Sequence, residues 1–300
     1  MPRPSTTALL AAVVDYAGLF PPAGLTMAEA VGEYLRARRG PSAWMLGRFV
    51  VPAPRLPELA VELDGRPDID TDAGAGPWPV SAIVRDGATE DVAAIAAFNA
   101  AADAHGARVD SVEAKPQTLD GVDWLAKEFD RGFDVYAELA AGPDIEAWMA
   151  RVAARGLRAK VRTGGVTADA FPAPAAVIAF IAAAVRHGVV FKATAGLHHA
   201  LRGNYRLTYA SDAPSAPMYG YLNVLLATAA LQAGASAIEA ETLLTLADPA
   251  GLVLHDGSTV TWGGHEFTVS QLHATRARLV SFGSCSFQEP ADEFDALATR

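Results

Sequence analysis

The sequence contains only one cysteine, Cys285. A single thiol excludes an internal disulfide and any zinc site built from several cysteines. This usage is typical of a reducing compartment and predicts a cytoplasmic protein. No spacing typical of a Cys–His nucleophile pair is present, so we interpret Cys285 as a small buried apolar side chain.

Positive charge and long apolar runs are also scarce. Lysine and arginine together number 24 against 34 aspartates and glutamates, which gives a formal net charge of −10. Nucleic-acid binding needs clustered cations, so this balance argues against a nucleic-acid partner. No run reaches the roughly 18 consecutive apolar residues of a membrane span. Asp15 interrupts the apolar N-terminal segment, which favours a short first helix over a signal peptide.

Motifs with the spacing of metal ligands are absent from the sequence. Neither HxH nor HExxH occurs among the seven histidines, and these spacings place two imidazoles on one metal ion. We therefore predict that the protein holds neither a metal nor a cofactor. The predicted partner is a small-molecule substrate.

The composition is that of one large globular unit. Of 300 residues, 51% are hydrophobic and 19% are charged, and α/β barrels of this length fold as one domain. We predict a single domain over 1–300. The Gly-, Pro- and Asp-rich segment 65–79 is interpreted as a solvated loop.

Short β-branched runs alternate with Ala-rich segments of helical period, which is typical of successive βαβ units. We predict strands at 13–20, 48–53, 80–86, 108–115, 134–139, 158–164, 189–196 and 279–287. Helices are predicted at 26–39, 90–105, 120–131, 144–155, 173–187 and 218–233. The fold class is therefore α/β, a TIM (β/α)8 barrel. Segment 236–268 predicts an inserted hairpin between strands seven and eight, which could cap the site or form a contact in a homo-oligomer.

Charged residues lie near the carboxyl ends of four predicted strands. Residues two apart share a face of a strand, which pairs Glu113 with Lys115, Lys160 with Arg162, and Tyr136 with Glu138. Burying unpaired charges is too unfavourable to persist without compensation. We expect Glu113, Glu138, Lys160, Arg162 and Lys192 to converge in one cavity, where catalytic residues of barrels collect.

Lys160 and Lys192 are separated by one strand–helix–strand unit, so their strands are predicted neighbours. Repulsion between two ammonium groups should lower the pKa of one lysine, and a neutral amine forms an imine with a carbonyl carbon. Glu113, Glu138 or Asp15 could then move protons. In the alternative interpretation, both lysines are fixed cations that bind an anionic substrate.

The segments VDYAGLFPPA, TMAEAVGEYL, KVRTGG, FKATAG and SFGSCS together resemble a divergent bacterial subgroup of the deoxyribose-phosphate aldolases and related class I aldolases. The resemblance implies a barrel with Lys160 as the imine-forming lysine and Lys192 as its pKa-lowering neighbour. It also implies Glu113 as the proton relay and Asp15 as a supporting acid. Arg162, Lys115 and the AGLHH turn depart from that family's pattern, which bears on the substrate.

Further residues are predicted to bind substrate. Arg162 has a planar fork that matches a carboxylate, and Lys115 adds a second cation. Small residues in the turns could present N–H groups to an anion, and one histidine of the AGLHH turn could act near neutral pH. The remaining predicted binding residues are Thr163, Gly164, His198, His199, Ser284 and Asn223.

These features predict a lyase of class I aldolase type that acts on a small anionic carbonyl compound. An anion is expected between Arg162 and the SFGSCS or AGLHH backbone. The alternative is a metal-dependent or metal-free hydrolase or isomerase that uses Glu113, Glu138 and His198. A non-catalytic binding barrel accounts poorly for the paired lysines.

Overall fold

A computed structural model describes residues 3–64, 77–129, 132–255, 257 and 259–299. Most of the predicted loop 65–79 lies outside the described residues, as do the last two residues of the predicted helix 120–131. The first predicted helix is present as α1, Pro4–Leu10.

Eight parallel strands close into a barrel, which confirms the predicted fold class. Spatial order follows chain order, and the first strand pairs with both the second and the last. The strands are β1 Val14–Tyr16, β2 Leu46–Pro52, β3 Trp78–Val84, β4 Ala107–Ala114, β5 Asp134–Leu139, β6 Arg158–Arg162, β7 Phe191–Thr194 and, last in the chain, β13 Leu279–Ser284.

Helices surround the barrel and pack apolar faces against it. Thr26 begins α2 with a capping box, in which its hydroxyl accepts from the Glu29 backbone N–H and the Glu29 carboxylate accepts from the Thr26 N–H. The helices after α1 are α2 Met27–Arg39, α3 Leu56–Asp64, α4 Thr89–Ala100, α5 Ala102–His105, α6 Leu119–Glu128, α7 Ile145–Ala154, α8 Pro174–Arg186, α9 Tyr221–Gln232, α10 Ala237–Thr245, α11 Val269–Arg278 and α12 Gln288–Ala298.

One helical stretch among the described residues, Ala168–Arg186, is long and apolar enough by length and composition to cross a membrane. It contains α8, whose Phe180 packs edge-on against Phe191 of β7 with ring centroids 5.5 Å apart. A helix that packs one apolar face on a parallel sheet has this character.

Two additions lie between β7 and β13. The predicted insertion 236–268 contains α10 and a three-stranded antiparallel sheet of β10 Leu252–Leu254, β11 Thr259–Trp262 and β12 His265–Thr268. Trp262 is buried, and its indole N–H donates to the Leu243 carbonyl at 3.0 Å. The second addition is a hairpin of β8 Gly203–Arg206 and β9 Ser215–Met218. No strand was predicted from the sequence in that segment.

The amino end of the barrel interior is filled by an ion-pair network. Arg48 forms a two-bond contact with Asp110 at 2.7 and 3.0 Å and reaches Asp134 at 3.0 Å. Arg158 also pairs with Asp134, and it donates to the Tyr136 hydroxyl at 3.1 Å. We name Arg48, Asp110, Asp134 and Arg158 the floor network. It leaves the carboxyl end of the barrel for the site.

Candidate active site

Strand register brings the predicted lysines together. Lys160 pairs in register with Lys192 on β7 and with Glu138 on β5, so the three side chains enter the barrel side by side. Lys160 Nζ lies 2.7 Å from Glu113 Oε2 and 2.8 Å from Glu138 Oε2. Lys192 Nζ lies 2.6 Å from Glu113 Oε1 and 2.6 Å from Asp15 Oδ2. We name this alternating run, Asp15–Lys192–Glu113–Lys160–Glu138, the charge chain.

Neutral groups hold the carboxylates of the charge chain in place. The Ser281 hydroxyl donates to Asp15 Oδ2 at 2.7 Å, and the Arg48 backbone N–H donates to Asp15 Oδ1 at 2.9 Å. The Ser81 hydroxyl donates to Glu113 Oε1 at 2.6 Å. Ser81 and Ser281 were not predicted as site residues, although a buried hydroxyl on an inward strand position is a readable signal for them.

The electrostatics differ from the prediction made for the lysine pair. Burial disfavours the charged form of both lysines, but the flanking carboxylates outweigh it and hold the pKa of Lys160 and of Lys192 above the ordinary value. Burial likewise favours neutral Glu113, but the two ammonium groups outweigh it and hold the pKa of Glu113 well below its usual range. The expectation that repulsion lowers a lysine pKa in the free protein is wrong, because Glu113 lies between the two ammonium groups.

A cavity of about 420 Å³ opens above the charge chain at the carboxyl end of the barrel. Glu113, Glu138, Lys160 and Lys192 all contribute to its lining. Its walls also include Phe20, Val50, Ile83, Lys115, Arg162, Thr194, His198 and Cys285. A space of this size suits a small molecule.

His198 lies on the β7 side of the cavity and is buried. Its Nδ1 lies 3.2 Å from Ser284 Oγ, 3.7 Å from Cys285 Sγ and 3.7 Å from Glu289 Oε2. Burial lowers the pKa of His198 to about 4, so the ring is neutral near pH 7. Burial also raises the pKa of the Cys285 thiol to about 11, which keeps it a neutral side chain.

Five predicted binding residues lie behind the cavity wall. The Thr163 hydroxyl is buried and donates to the Ala195 carbonyl at 2.8 Å, and Gly164 packs so closely on the Phe171 ring that no side chain fits. His199 stacks on Tyr205 and pairs with Glu293 at 2.6 Å. Ser284 supports His198. Asn223 is buried away from the site.

The side chain of Asn223 is fully engaged by backbone groups. Its Oδ1 accepts from the Arg202 N–H at 2.8 Å, and its Nδ2 donates to the carbonyls of Leu243 and Leu246 at 2.9 and 2.7 Å. Thr163, Gly164 and Asn223 therefore shape the loops around the site rather than the cavity surface.

The fold and the position of the cavity define the class of protein. It is a TIM (β/α)8 barrel with a charged cavity at the end where barrel enzymes carry their active sites. Within the described residues, no group of three or more His, Cys, Asp or Glu side chains is arranged to hold a metal ion. No protein-family model and no curated protein sequence matches the chain.

Proposed function

We propose that the protein is a carbon–carbon lyase of class I aldolase type, which forms an imine between Lys160 and a small anionic carbonyl compound. One observation carries the proposal. Lys160 Nζ lines the cavity between two carboxylates, and one of them, Glu113, is shared with a second lysine. A nucleophilic amine and groups able to move its protons are thus in direct contact.

The distribution of lysine supports this role. The chain has 24 lysines and arginines in all, but only four of them are lysines. Three of the four, Lys115, Lys160 and Lys192, line the cavity. The fourth, Lys127, is 81% exposed on α6. Arginine serves as well as lysine for surface charge but stays protonated and cannot form an imine, so lysine is concentrated where its chemistry is distinctive.

Imine formation needs a neutral Lys160 amine. Because both lysines are charged in the free protein, the proton must leave Lys160 when substrate arrives, and Glu138 accepts it across the 2.8 Å contact. The amine then attacks the carbonyl carbon, and the carbonyl oxygen takes one proton from the attacking nitrogen and one from Glu138 and departs as water. The product is an iminium ion on Lys160.

Bond cleavage follows from the iminium ion. A base removes the proton of a hydroxyl on the carbon beyond the breaking bond, that oxygen becomes a carbonyl, and the bonding electron pair moves into the iminium to give an enamine. Glu113 acts as the relay in this proposal, and its contacts with both lysines support that role. Protonation of the enamine carbon and hydrolysis by water release the second product and restore Lys160. Condensation is the same sequence in reverse.

The alternative, a hydrolase or isomerase with the lysines as anion clamps, is less well supported. Each ammonium group already contacts two carboxylates. An anionic substrate would have to compete with those buried ion pairs. Lys115 and Arg162 are better suited to that task.

Reductive trapping tests the proposal. Sodium borohydride added with a panel of short aldehydes and oxo acids should leave a stable mass on the peptide that contains Lys160. Lys160→Arg keeps the charge that Glu113 and Glu138 need but removes the amine, so it should abolish the adduct in a folded protein. Lys127→Arg is the matched control and should trap like the wild type.

Three outcomes would contradict the proposal. A Lys160→Arg protein that is folded by circular dichroism and still cleaves its substrate would exclude the imine. Adducts restricted to Lys127, Lys115 or the N-terminal amine would indicate nonspecific modification. An adduct on Lys192 would exclude Lys160 as the imine-forming lysine.

A further inference from the structure

Two cations stand at the rim of the cavity above the charge chain. Lys115 is the first residue after β4 and lies two residues beyond Glu113, and Arg162 ends β6 two residues beyond Lys160. Both side chains line the cavity, about 7 Å nearer the rim than the charge chain. Only β5 separates their strands, which places the two backbones about 10 Å apart. Long side chains from both can reach one small anion across that gap.

Lys115 and Arg162 are not engaged elsewhere. Both are exposed at the cavity mouth, and within the part of the chain that the structure describes neither side chain has a hydrogen bond or an ion pair. Lys160 and Lys192 lie deeper in the cavity, and each of their ammonium groups contacts two carboxylates. The free positive charge of the site is therefore on the β4–β6 wall.

The opposite wall of the cavity, at the ends of β7 and β13, has negatively charged side chains behind it. Glu289 lies 3.7 Å from His198 Nδ1 and accepts from the Tyr209 hydroxyl at 3.1 Å. Glu293 accepts from the Ala200 N–H at 2.7 Å and contacts His199 Nδ1 at 2.6 Å. His198 itself is neutral near pH 7. Two carboxylates behind a neutral imidazole repel an anion, which argues against the predicted anion position at the AGLHH and SFGSCS turns.

The formal charge of the groups around the cavity limits the charge of the anion that can bind there. The charge chain has three carboxylates and two ammonium groups, and together with the two rim cations these seven groups carry one excess positive charge. A carboxylate neutralises that excess, whereas a phosphate monoester carries about −1.5 to −2 at neutral pH and overshoots it. The guanidinium of Arg162 also matches a carboxylate in two parallel bonds.

Building on the imine proposed for Lys160, we infer that the substrate is an oxo carboxylic acid whose carboxylate binds between Lys115 and Arg162. Its carbonyl carbon lies over Lys160, and its uncharged, hydroxyl-bearing end faces His198. The substrate thus spans the cavity from the β4–β6 wall to the β7 side. Lys115 and Arg162 are the residues that determine specificity.

Three probes of matched chain length test the inference: a neutral aldehyde, the corresponding ω-oxo carboxylate, and the corresponding aldehyde phosphate ester. The concentration that gives half-maximal borohydride trapping at Lys160 is measured for each. In the wild type it should be lowest for the oxo carboxylate. In Lys115→Gln/Arg162→Gln, the preference for the oxo carboxylate over the neutral aldehyde should fall about tenfold or more, because two charge-assisted hydrogen bonds are lost.

Lys127→Gln/Arg186→Gln removes one lysine and one arginine from the surface and should keep the wild-type preference. A stronger preference for the phosphate ester, or equal losses for all three probes, would overturn the inference. Binding of the saturated hydroxy acid, measured by calorimetry, does not depend on imine formation. If trapping fails altogether but this binding is lost in the double variant, the imine is wrong and the carboxylate clamp stands. If the acid binds the double variant as well as the wild type, the clamp is wrong.

Discussion

At the scale of the residue, His198 makes a measurable contribution to pH-dependent stability. Its imidazole titrates near 6.5 in an unfolded chain, whereas burial lowers the pKa to about 4 in the folded protein. Between these values the unfolded state binds more protons, so the free energy of unfolding falls as pH falls from 6.5 towards 4. At about 1.4 kcal/mol per pH unit, this shift corresponds to roughly 3 kcal/mol.

We therefore expect His198→Asn to flatten the loss of stability between pH 6.5 and 4, measured as urea-unfolding free energies across that range. Glu289, Glu293 and His199 also surround His198, and the difference between variant and wild type isolates the imidazole from them. His273→Asn, at an exposed position of α11, is the control and should keep the wild-type slope. An unchanged slope in His198→Asn would show that His198 does not titrate as described.

The site residues divide by what sequence can predict. Strand parity and the unfavourable burial of charge were enough to bring Glu113, Lys160 and Lys192 to one cavity. The sign of the lysine pKa shifts was not accessible, since it depends on Glu113 from β4 reaching between side chains of β6 and β7. That contact depends on the register between three strands and on the lengths of the side chains. The spacing of residues along one strand gives no information on either.

At the scale of the element, Asn223 is the joint that fixes the additions between β7 and β13. Three hydrogen bonds tie it to the segment before β8 and to the end of α10. Asn223→Ala removes the side-chain partner of the Arg202 N–H and of the Leu246 carbonyl, while the Leu243 carbonyl keeps its bond from Trp262, so the free energy of unfolding should fall by about 2 to 4 kcal/mol. Asn204→Ala, at an exposed position of β8, should change it by less than about 0.5 kcal/mol.

Urea denaturation of both asparagine variants checks this prediction. Equal stability of Asn223→Ala and Asn204→Ala would contradict the role of Asn223 as a joint. A loss confined to Asn223→Ala, with the folded variant still trapped at Lys160, would place the residue in the scaffold rather than in the site.

The strands of the barrel were predicted well, and the β8–β9 hairpin was not. The barrel strands are β-branched runs between helices with clear boundaries, such as the Thr26 capping box of α2. The β8–β9 hairpin consists of two four-residue strands, GNYR and SAPM, without alternating apolar residues. The first strand was predicted at 13–20, but β1 ends at Tyr16, because the chain turns just after it and the Phe20 N–H bonds to the Ala17 carbonyl.

At the scale of the whole molecule, the barrel interior separates stability from chemistry along its axis. The floor network fills the amino end of the barrel interior, where residues mainly stabilise the fold. The charge chain fills the carboxyl end, where barrel enzymes carry their active sites. Tyr136 lies between them, with its hydroxyl bonded to Arg158 and its ring centroid 5.1 Å from Lys192 Nζ. The two charged layers are distinct, so substitutions in one should leave the other largely intact.

Arg48→Met tests this separation. Asp110 loses its two-bond partner and Asp134 keeps only Arg158, so the barrel loses ion pairs that join β2 to β4 and β5. Arg48 is 22% exposed and Asp110 is 39% exposed, so solvent screens part of the attraction, and the expected loss in the free energy of unfolding is about 1 to 3 kcal/mol. Borohydride trapping at Lys160, normalised to folded protein, should match the wild type. Lys160→Arg, by contrast, should abolish trapping in a folded protein. If Arg48→Met instead abolished trapping while remaining folded, the floor network would be part of the reacting site, and the division of the barrel into two layers would be wrong.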